Sequence, residues 1–197
     1  GYKDLEFNPL KEDKNINIPR DIVKETKTLE TFIQTGFMLD KENGRLVLTD
    51  DEKIYNFLSE EIMYYMKNFE ILATESFKKK EIKTPKISNV GIKIENNLLK
   101  INFSEFNFST SELVEIMEKY KLRKKYYKLN DGSFLNLQEN ETLDFLEKLN
   151  IDGTLNYNEL LNGEINLPVY RSLYLDKILK KSNMNVYRNK EYKELIN

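Results

Sequence analysis

The chain has 197 residues, of which 40% are hydrophobic and 32% charged, and this balance predicts a folded protein with a sizeable core. It has no cysteine and no histidine, which excludes zinc sites built from thiolates or imidazoles, Ser-His-Asp triads and cysteine nucleophiles. Carboxylate chemistry remains open, as a hard-cation site or a paired-acid hydrolase. Because there are no cysteines and no apolar run of about 20 residues, we expect a cytoplasmic protein without a membrane partner.

The charges are divided unevenly along the chain. Residues 1–76 contain 10 basic and 16 acidic side chains, whereas residues 77–197 contain 21 basic and 17 acidic ones. An anionic partner is therefore expected to meet the second half. Because Gly1 stands where an initiator methionine would, we also expect the chain to be part of a longer polypeptide.

The first half predicts two helices and a hairpin. A short strand is predicted over 2–9, and a helix follows from the N-cap Asp21 to Gly36, which fits the position after a helix end. A hairpin turn is expected at 43–44, with a strand behind it over 45–49. Acidic residues at 50–52 open the next helix, since carboxylates are favoured at helix starts. Its expected apolar stripe is Ile54, Phe57, Leu58, Ile62 and Tyr65, and a further strand is predicted over 69–77.

The second half predicts hairpins alternating with helices. Alternating runs over 90–94 and 98–103 surround an Asn-containing turn, and runs over 125–129 and 133–137 surround Asn130-Asp131-Gly132. Between these two hairpins, Ser109 and Glu112 have the spacing of a capping box at a helix start. Further helices are predicted near 139–149, 170–181 and 187–196.

This order of elements predicts an α+β fold of antiparallel β-hairpins packed with amphipathic helices, which can divide into two small subdomains. The lysine-rich stretch over 78–86 is the candidate boundary. We therefore expect an N-terminal α+β subdomain over 1–77, a linker over 78–86, and a C-terminal subdomain of hairpins and helices over 87–197.

Catalytic motifs are not apparent in the sequence. None of the seven glycines is followed by lysine, so a Gly-Lys-Ser/Thr phosphate loop is missing and no ATP hydrolysis by these residues is expected. Acidic pairs occur at 50–52, at 60–61 and at Glu139 with Glu141, where helix starts and solvated faces explain them. We predict no catalytic residue, no cofactor site and no metal site, and hence no enzyme.

One segment partly matches a calcium-binding loop. Over 148–159, Asn150, Asp152, Asn156 and Glu159 stand at ligand positions of an EF-hand loop. However, Lys148 occupies the first position, where an aspartate is expected and an ammonium group would repel the cation. A solvated loop between helices is the expectation, with a degenerate calcium module as an alternative.

A basic cluster is the main candidate for binding. Six cations and no acid fall within ten positions: Lys119, Lys121, Arg123, Lys124, Lys125 and Lys128. Tyrosines at 120, 126 and 127 are interleaved with them, and cations beside aromatic faces suit a nucleic-acid backbone. A solvated helix end followed by a lysine-protected edge strand explains the same pattern. Both readings remain open on the sequence.

Two blocks of the second half resemble a known family. The first is Arg-Lys-Lys-Tyr-Tyr-Lys-Leu-Asn-Asp-Gly-Ser-Phe-Leu-Asn-Leu over 123–137, and the second is Leu-Pro-Val-Tyr-Arg-Ser-Leu-Tyr-Leu over 167–175, followed by Leu179. Together they resemble the bacterial Swi/Snf-type helicase-associated domain, which lies before the ATPase core of large DNA translocases.

The resemblance implies a non-catalytic accessory role. The parent would be an ATP-dependent DNA translocase, its ATPase core in the same polypeptide would be the partner, and duplex DNA would be a further candidate partner. The module would then position DNA or regulate the motor. A structural or protein-interaction domain without nucleic-acid contact is the alternative from another functional class.

Overall fold

The computed structural model describes residues 7–11, 19–70, 77, 80–104 and 106–197. The chain forms two compact units, Gly1–Ala73 and Thr74–Asn197. Within the described ranges, no helix combines the length and the apolar character needed to cross a bilayer.

The first unit consists of helices around a small hairpin. Its described elements are α1 (Ile22–Gln34), β1 (Met38–Asp40), β2 (Arg45–Val47), α2 (Asp51–Asn56), a π-helical turn (Phe57–Glu61) and α3 (Ile62–Asn68). Asp21 caps α1 by accepting a hydrogen bond from the Lys24 N–H, and Gly36 follows the helix with a φ of 105°. The predicted N-cap and the predicted helix end are therefore confirmed.

Aromatic rings form the interior of this unit. Phe57 and Tyr65 are buried, and their ring centroids lie 5.3 Å apart. Between these two side chains the helix widens into a π turn over Phe57–Glu61. Phe32 of α1 completes the contact at 4.8 Å from the Tyr65 ring. The π turn was not predicted from the sequence.

The second unit contains two sheets. The four-stranded sheet has the order β8-β5-β4-β9, with β4 (Asn89–Glu95), β5 (Leu98–Phe103), β8 (Glu164–Pro168) and β9 (Asn185–Arg188). The three-stranded sheet has the order β3-β7-β6, with β3 (Ile82–Lys83), β6 (Tyr126–Lys128) and β7 (Phe134–Asn136). Its helices with described bounds are α4 (Thr110–Lys121), α5 (Glu141–Leu149), α6 (Tyr157–Leu161), α7 (Ser172–Leu179) after a 3₁₀ turn (Val169–Arg171), and α8 (Lys190–Ile196).

One face of the four-stranded sheet supports the core of this unit. Val90 and Ile92 of β4 alternate with exposed or half-buried neighbours, and they pair in register with Phe103 and Ile101 of β5. Helices α4 and α5 contribute the main apolar side chains of the same buried cluster: Leu113, Ile116, Met117, Phe145, Leu146 and Leu149. The buried face of α4 consists of Leu113, Ile116, Met117 and Tyr120.

The predicted α+β class is confirmed, and so are both hairpins of the second unit, β4–β5 and β6–β7. Asn96 and Asn97 form the first turn with φ of 52° and 61°, the left-handed pair that a two-residue hairpin turn requires. In addition to these antiparallel hairpins, β3 pairs parallel with β7 and β4 pairs parallel with β9. These pairs join distant parts of the chain and leave no local pattern.

Three predicted elements are wrong in part or fall on residues that the structure does not describe, as does one predicted boundary. The helix predicted over 187–196 begins only at α8, because Asn185–Arg188 pairs with β4 as a strand. The strand predicted over 69–77 is wrong where it can be checked, because no strand includes Phe69, Glu70 or Phe77. Residues 71–76 fall outside the described residues. Of the strand predicted over 2–9, residues 7–9 are not in a strand and the others are not described. The subdomain limits at 77 and 86 stay a prediction; Ile82–Lys83 within that stretch is strand β3.

Candidate nucleic-acid interface

Helix α4 carries the first part of the basic cluster, and its start is fixed by side chains. The Ser109 hydroxyl accepts a hydrogen bond from the Glu112 N–H at 3.2 Å, and Glu112 accepts one from the Ser109 N–H at 3.1 Å. The second Glu112 oxygen accepts from the Asn130 N–H at 3.2 Å, in the turn between β6 and β7. The bonds from Ser109 and Asn130 hold the pKa of the Glu112 carboxyl below its ordinary value. The predicted capping box is confirmed, and it joins α4 to the β6–β7 hairpin.

The other end of α4 places the middle of the cluster in a tight turn. The Lys124 N–H donates to the Lys119 carbonyl at 3.1 Å, and the Arg123 N–H donates to the Tyr120 carbonyl at 2.9 Å. These two bonds form a Schellman motif, in which the residue after the helix cap takes the left-handed conformation. Arg123 is that residue, with a φ of 56°. Because glycine usually fills this position, an arginine here accepts backbone strain.

All six cations of the basic cluster are exposed. The Arg123 guanidinium carbon lies 5.6 Å from the centroid of the Tyr120 ring, a cation–π distance. Within the described part of the chain, no carboxylate forms an ion pair with Lys119, Lys121, Arg123, Lys124 or Lys125. Five cations therefore lie close together at one helix end, with no ion-pair partner among the described residues. Lys128 follows on β6, directly after the tyrosines at 126 and 127.

The three tyrosines of the cluster are engaged in the fold. Tyr120 is 7% exposed, and Tyr126 is half-buried with its ring centroid 5.3 Å from Phe134. The Tyr127 hydroxyl donates to the Glu115 carboxylate at 2.8 Å. Burial, together with this bond, raises the pKa of Tyr127 to about 12, so its hydroxyl stays neutral. The packing of these three rings therefore does not favour their use as stacking surfaces beside a nucleic-acid backbone.

The partial calcium loop uses its polar groups internally. The side-chain oxygen Oδ1 of Asn150 accepts from the Leu155 N–H at 3.0 Å, and Oδ1 of Asn156 accepts from the Asn158 N–H at 3.0 Å as the cap of α6. Lys148, at the leading position, pairs with Asp144 one helical turn earlier. Across the described residues, no group of three or more acidic side chains is arranged to hold a metal ion. The arrangement favours a loop held by its own hydrogen bonds.

Arg171 is a buried residue that the sequence analysis did not single out. Its side chain is 8% exposed, and its guanidinium donates to the Leu149 carbonyl at 2.8 Å. The same group lies 3.5 Å from the Asp152 carboxylate. Arg171 therefore supports the loop after α5 from the second of the two sequence blocks. A charged residue inside the apolar run 167–175 was the available signal.

Asp176 is a second buried charge outside the predicted site. Its carboxylate lies 2.8 Å from the Lys180 ammonium and 2.9 Å from the Arg188 guanidinium. Burial works against ionisation, but the bonds from Lys180 and Arg188 outweigh it and lower the pKa of Asp176 below its ordinary value. The group joins α7 to strand β9, so its role lies in holding the unit together.

The comparisons with known proteins agree with the two sequence blocks. A family model described as bacterial SNF2 helicase associated matches residues 1–197, the whole chain. No curated protein and no solved structure matches the chain. The family match covers both units and includes the capped helix, the Schellman turn and the hairpin that present the basic cluster. The chain therefore belongs to the bacterial SNF2 helicase-associated family.

Proposed function

We propose that the chain is a non-catalytic accessory module of a bacterial SNF2-type helicase, and that its basic cluster contacts the backbone of the nucleic acid on which the motor acts. The observation that carries the proposal is the group of exposed cations at the end of α4, five of which lack a carboxylate partner among the described residues. Family membership supports the helicase core as the protein partner.

The mode of contact follows from the side chains that are available. Lysine and arginine neutralise phosphates and release their condensed counterions, which makes binding strongly dependent on salt. The tyrosines beside them are packed into the fold, so base stacking contributes little. The contacts made by these cations are therefore independent of base sequence, and they position the module on the backbone.

The test is an anisotropy titration of a labelled 20-base-pair duplex (about two helical turns) with the 197-residue chain at several salt concentrations. The variant combines Arg123→Gly, Lys124→Ala and Lys125→Ala. Each lost phosphate contact lowers the log–log salt slope by about 0.9, so the slope falls by up to about 2.7.

A matched control removes three exposed lysines of the same unit that form no ion pair in its described part: Lys177, Lys181 and Lys193. The overall charge change equals that of the first variant, so only the location differs. If the two triple variants lose the same amount of slope, general charge and not the basic cluster drives binding. If the unaltered chain does not bind even at low salt, the DNA part of the proposal is wrong.

The second candidate is a protein-interaction module, and exposed apolar side chains favour it. Tyr170 is 81% exposed and Leu173, three residues later, is 66% exposed. Residues three apart lie on one side of a helical segment, and large exposed apolar groups mark interaction surfaces when they cluster. A Tyr170→Ser, Leu173→Ser variant that loses the helicase core in a pull-down, while keeping DNA binding, assigns this surface to the motor.

A further inference from the structure

Leu122 is an exposed apolar side chain in the middle of the basic cluster. It is 67% exposed and stands between Lys121 and Arg123, at the cap position where α4 ends. Its backbone N–H donates to the Glu118 carbonyl at 3.0 Å. The residue therefore sits at the point where the chain turns, with cations on both sides.

The local fold does not require a leucine at this position. The apolar contact that accompanies a Schellman motif joins the third helical residue from the end to the second residue after the cap. In this chain those two residues are Lys119 and Lys124, so Leu122 makes no such contact. The hydrogen bond from its N–H is a backbone bond that any residue except proline would make.

A leucine surrounded by cations suits a partner with anionic borders and an apolar interior. The minor groove of duplex DNA has this chemistry, since phosphates line its edges and the sugars and stacked bases form its walls and floor. Proteins that enter this groove insert apolar wedges between base pairs, with arginine beside them. In this chain Arg123 is the arginine beside the apolar residue, since it follows Leu122 directly. Its backbone conformation and its contact with the Tyr120 ring hold it at the helix end.

We propose that Leu122 is an apolar wedge that enters the minor groove of duplex DNA and partly unstacks one base step, with Arg123 beside it at the phosphates that border the groove. This inference rests on the proposed function, because it assumes that the basic cluster meets DNA. It adds a contact that is apolar and therefore insensitive to salt. It also predicts a preference for steps that unstack easily, such as TA.

The experiment compares Leu122→Ala with Ile151→Ala in the 197-residue chain. Ile151 is 69% exposed and loses the same number of carbon atoms, so it is matched in size and exposure. Each protein is titrated into a duplex that carries 2-aminopurine at a central TA step, and affinity, salt slope and fluorescence are recorded. Displacement of a bis-benzimidazole minor-groove dye is followed in parallel.

We expect Leu122→Ala to weaken binding about tenfold, the loss that corresponds to removing a buried side chain of this size. Its salt slope should equal that of the unaltered chain, and the rise in 2-aminopurine fluorescence should disappear. The Ile151→Ala protein should bind, brighten the probe and displace the dye like the unaltered chain.

The results separate this inference from the function on which it rests. If the unaltered chain does not bind duplex at all, the proposed function fails, and the wedge fails with it. If the chain binds with a steep salt slope but Leu122→Ala is unchanged, the wedge alone is wrong. If the minor-groove dye stays bound to the duplex, the wedge is wrong and a major-groove contact is favoured. If Leu122 is needed for binding phosphatidylserine vesicles but not for binding DNA, the wedge is wrong and a lipid contact is favoured.

Discussion

Replacing Arg123 with glycine separates the stability of the helix end from DNA binding. A non-glycine residue in the left-handed region costs about 1–2 kcal/mol, and Arg123 has a φ of 56°. Glycine removes this cost, but it adds about 0.4–1 kcal/mol of backbone freedom to the unfolded chain. Losing the contact with the Tyr120 ring costs about 0.5–1 kcal/mol at an exposed site. The opposing effects cancel, so the free energy of unfolding should stay within about 1 kcal/mol of its original value.

Binding should respond differently to the same substitution. If the guanidinium contacts one phosphate, the log–log salt slope falls by about 0.9 when it is removed. Urea unfolding followed by circular dichroism measures the stability, and anisotropy titration at four salt concentrations measures the slope. Arg123→Lys is the companion variant: it keeps the charge and should keep most of the slope, although the planar, bidentate donor is lost.

Two results would refute this reasoning. A loss of stability greater than about 2 kcal/mol in Arg123→Gly, more than all the unfavourable contributions together, would show that the arginine stabilises the turn by an interaction beyond those considered. An unchanged salt slope would show that Arg123 faces solvent in the complex. Arg123→Val provides the opposite control, because a β-branched residue in the left-handed region should destabilise the chain clearly.

Further predictions concern charges outside the cluster. Asp176→Ala should lower the free energy of unfolding in a urea titration by about 2–4 kcal/mol, because it leaves the largely buried Arg188 without its carboxylate; a loss below 0.5 kcal/mol would contradict this. The hydrogen bond from Lys83 is the main cause that lowers the pKa of Asp131 to about 2 from its ordinary 3.8. The stability that Asp131 contributes should therefore be complete above about pH 4 and be lost as the pH falls through 2, and Asp131→Asn should flatten acid unfolding in that window. Calcium up to millimolar concentration, the weak end of known loop affinities, should leave the melting temperature unchanged; a calcium-dependent rise that Glu159→Gln abolishes would establish the alternative loop reading.

Local sequence rules predicted the elements that present the candidate site. Ser109 and Glu112 form the expected capping box, because both bonds depend on residues three apart. The hairpin around Asn130-Asp131-Gly132 forms as expected, since its turn residues suit the backbone conformation that a hairpin needs. The cations could be identified as a group for the same reason, as all six fall within ten positions of the chain.

Structural features that depend on distant residues could not be predicted from local sequence rules. The sequence does not show that Tyr127 donates to Glu115 or that Arg171 is buried against the end of α5, because burial is decided by packing of the whole unit. The left-handed conformation of Arg123 also escaped prediction, since arginine gives no signal for it. The last two residues of strand β9 were assigned to a helix, because the strand pairs with β4, almost a hundred positions earlier.

The pairing of β4 with β9 has a consequence for how the chain folds during its synthesis on the ribosome. Strand β4 lies between β5 and β9 in the sheet, and Asn89 pairs with Asn185. Synthesis proceeds from the N-terminus at about 5–20 residues per second, so β4 waits for several seconds before its second neighbour is made. During this interval the unpaired backbone groups of β4 present an open strand edge, a known starting point for aggregation. We therefore expect nascent chains halted before residue 185 to need a chaperone, and chains that include β9 to be released from it.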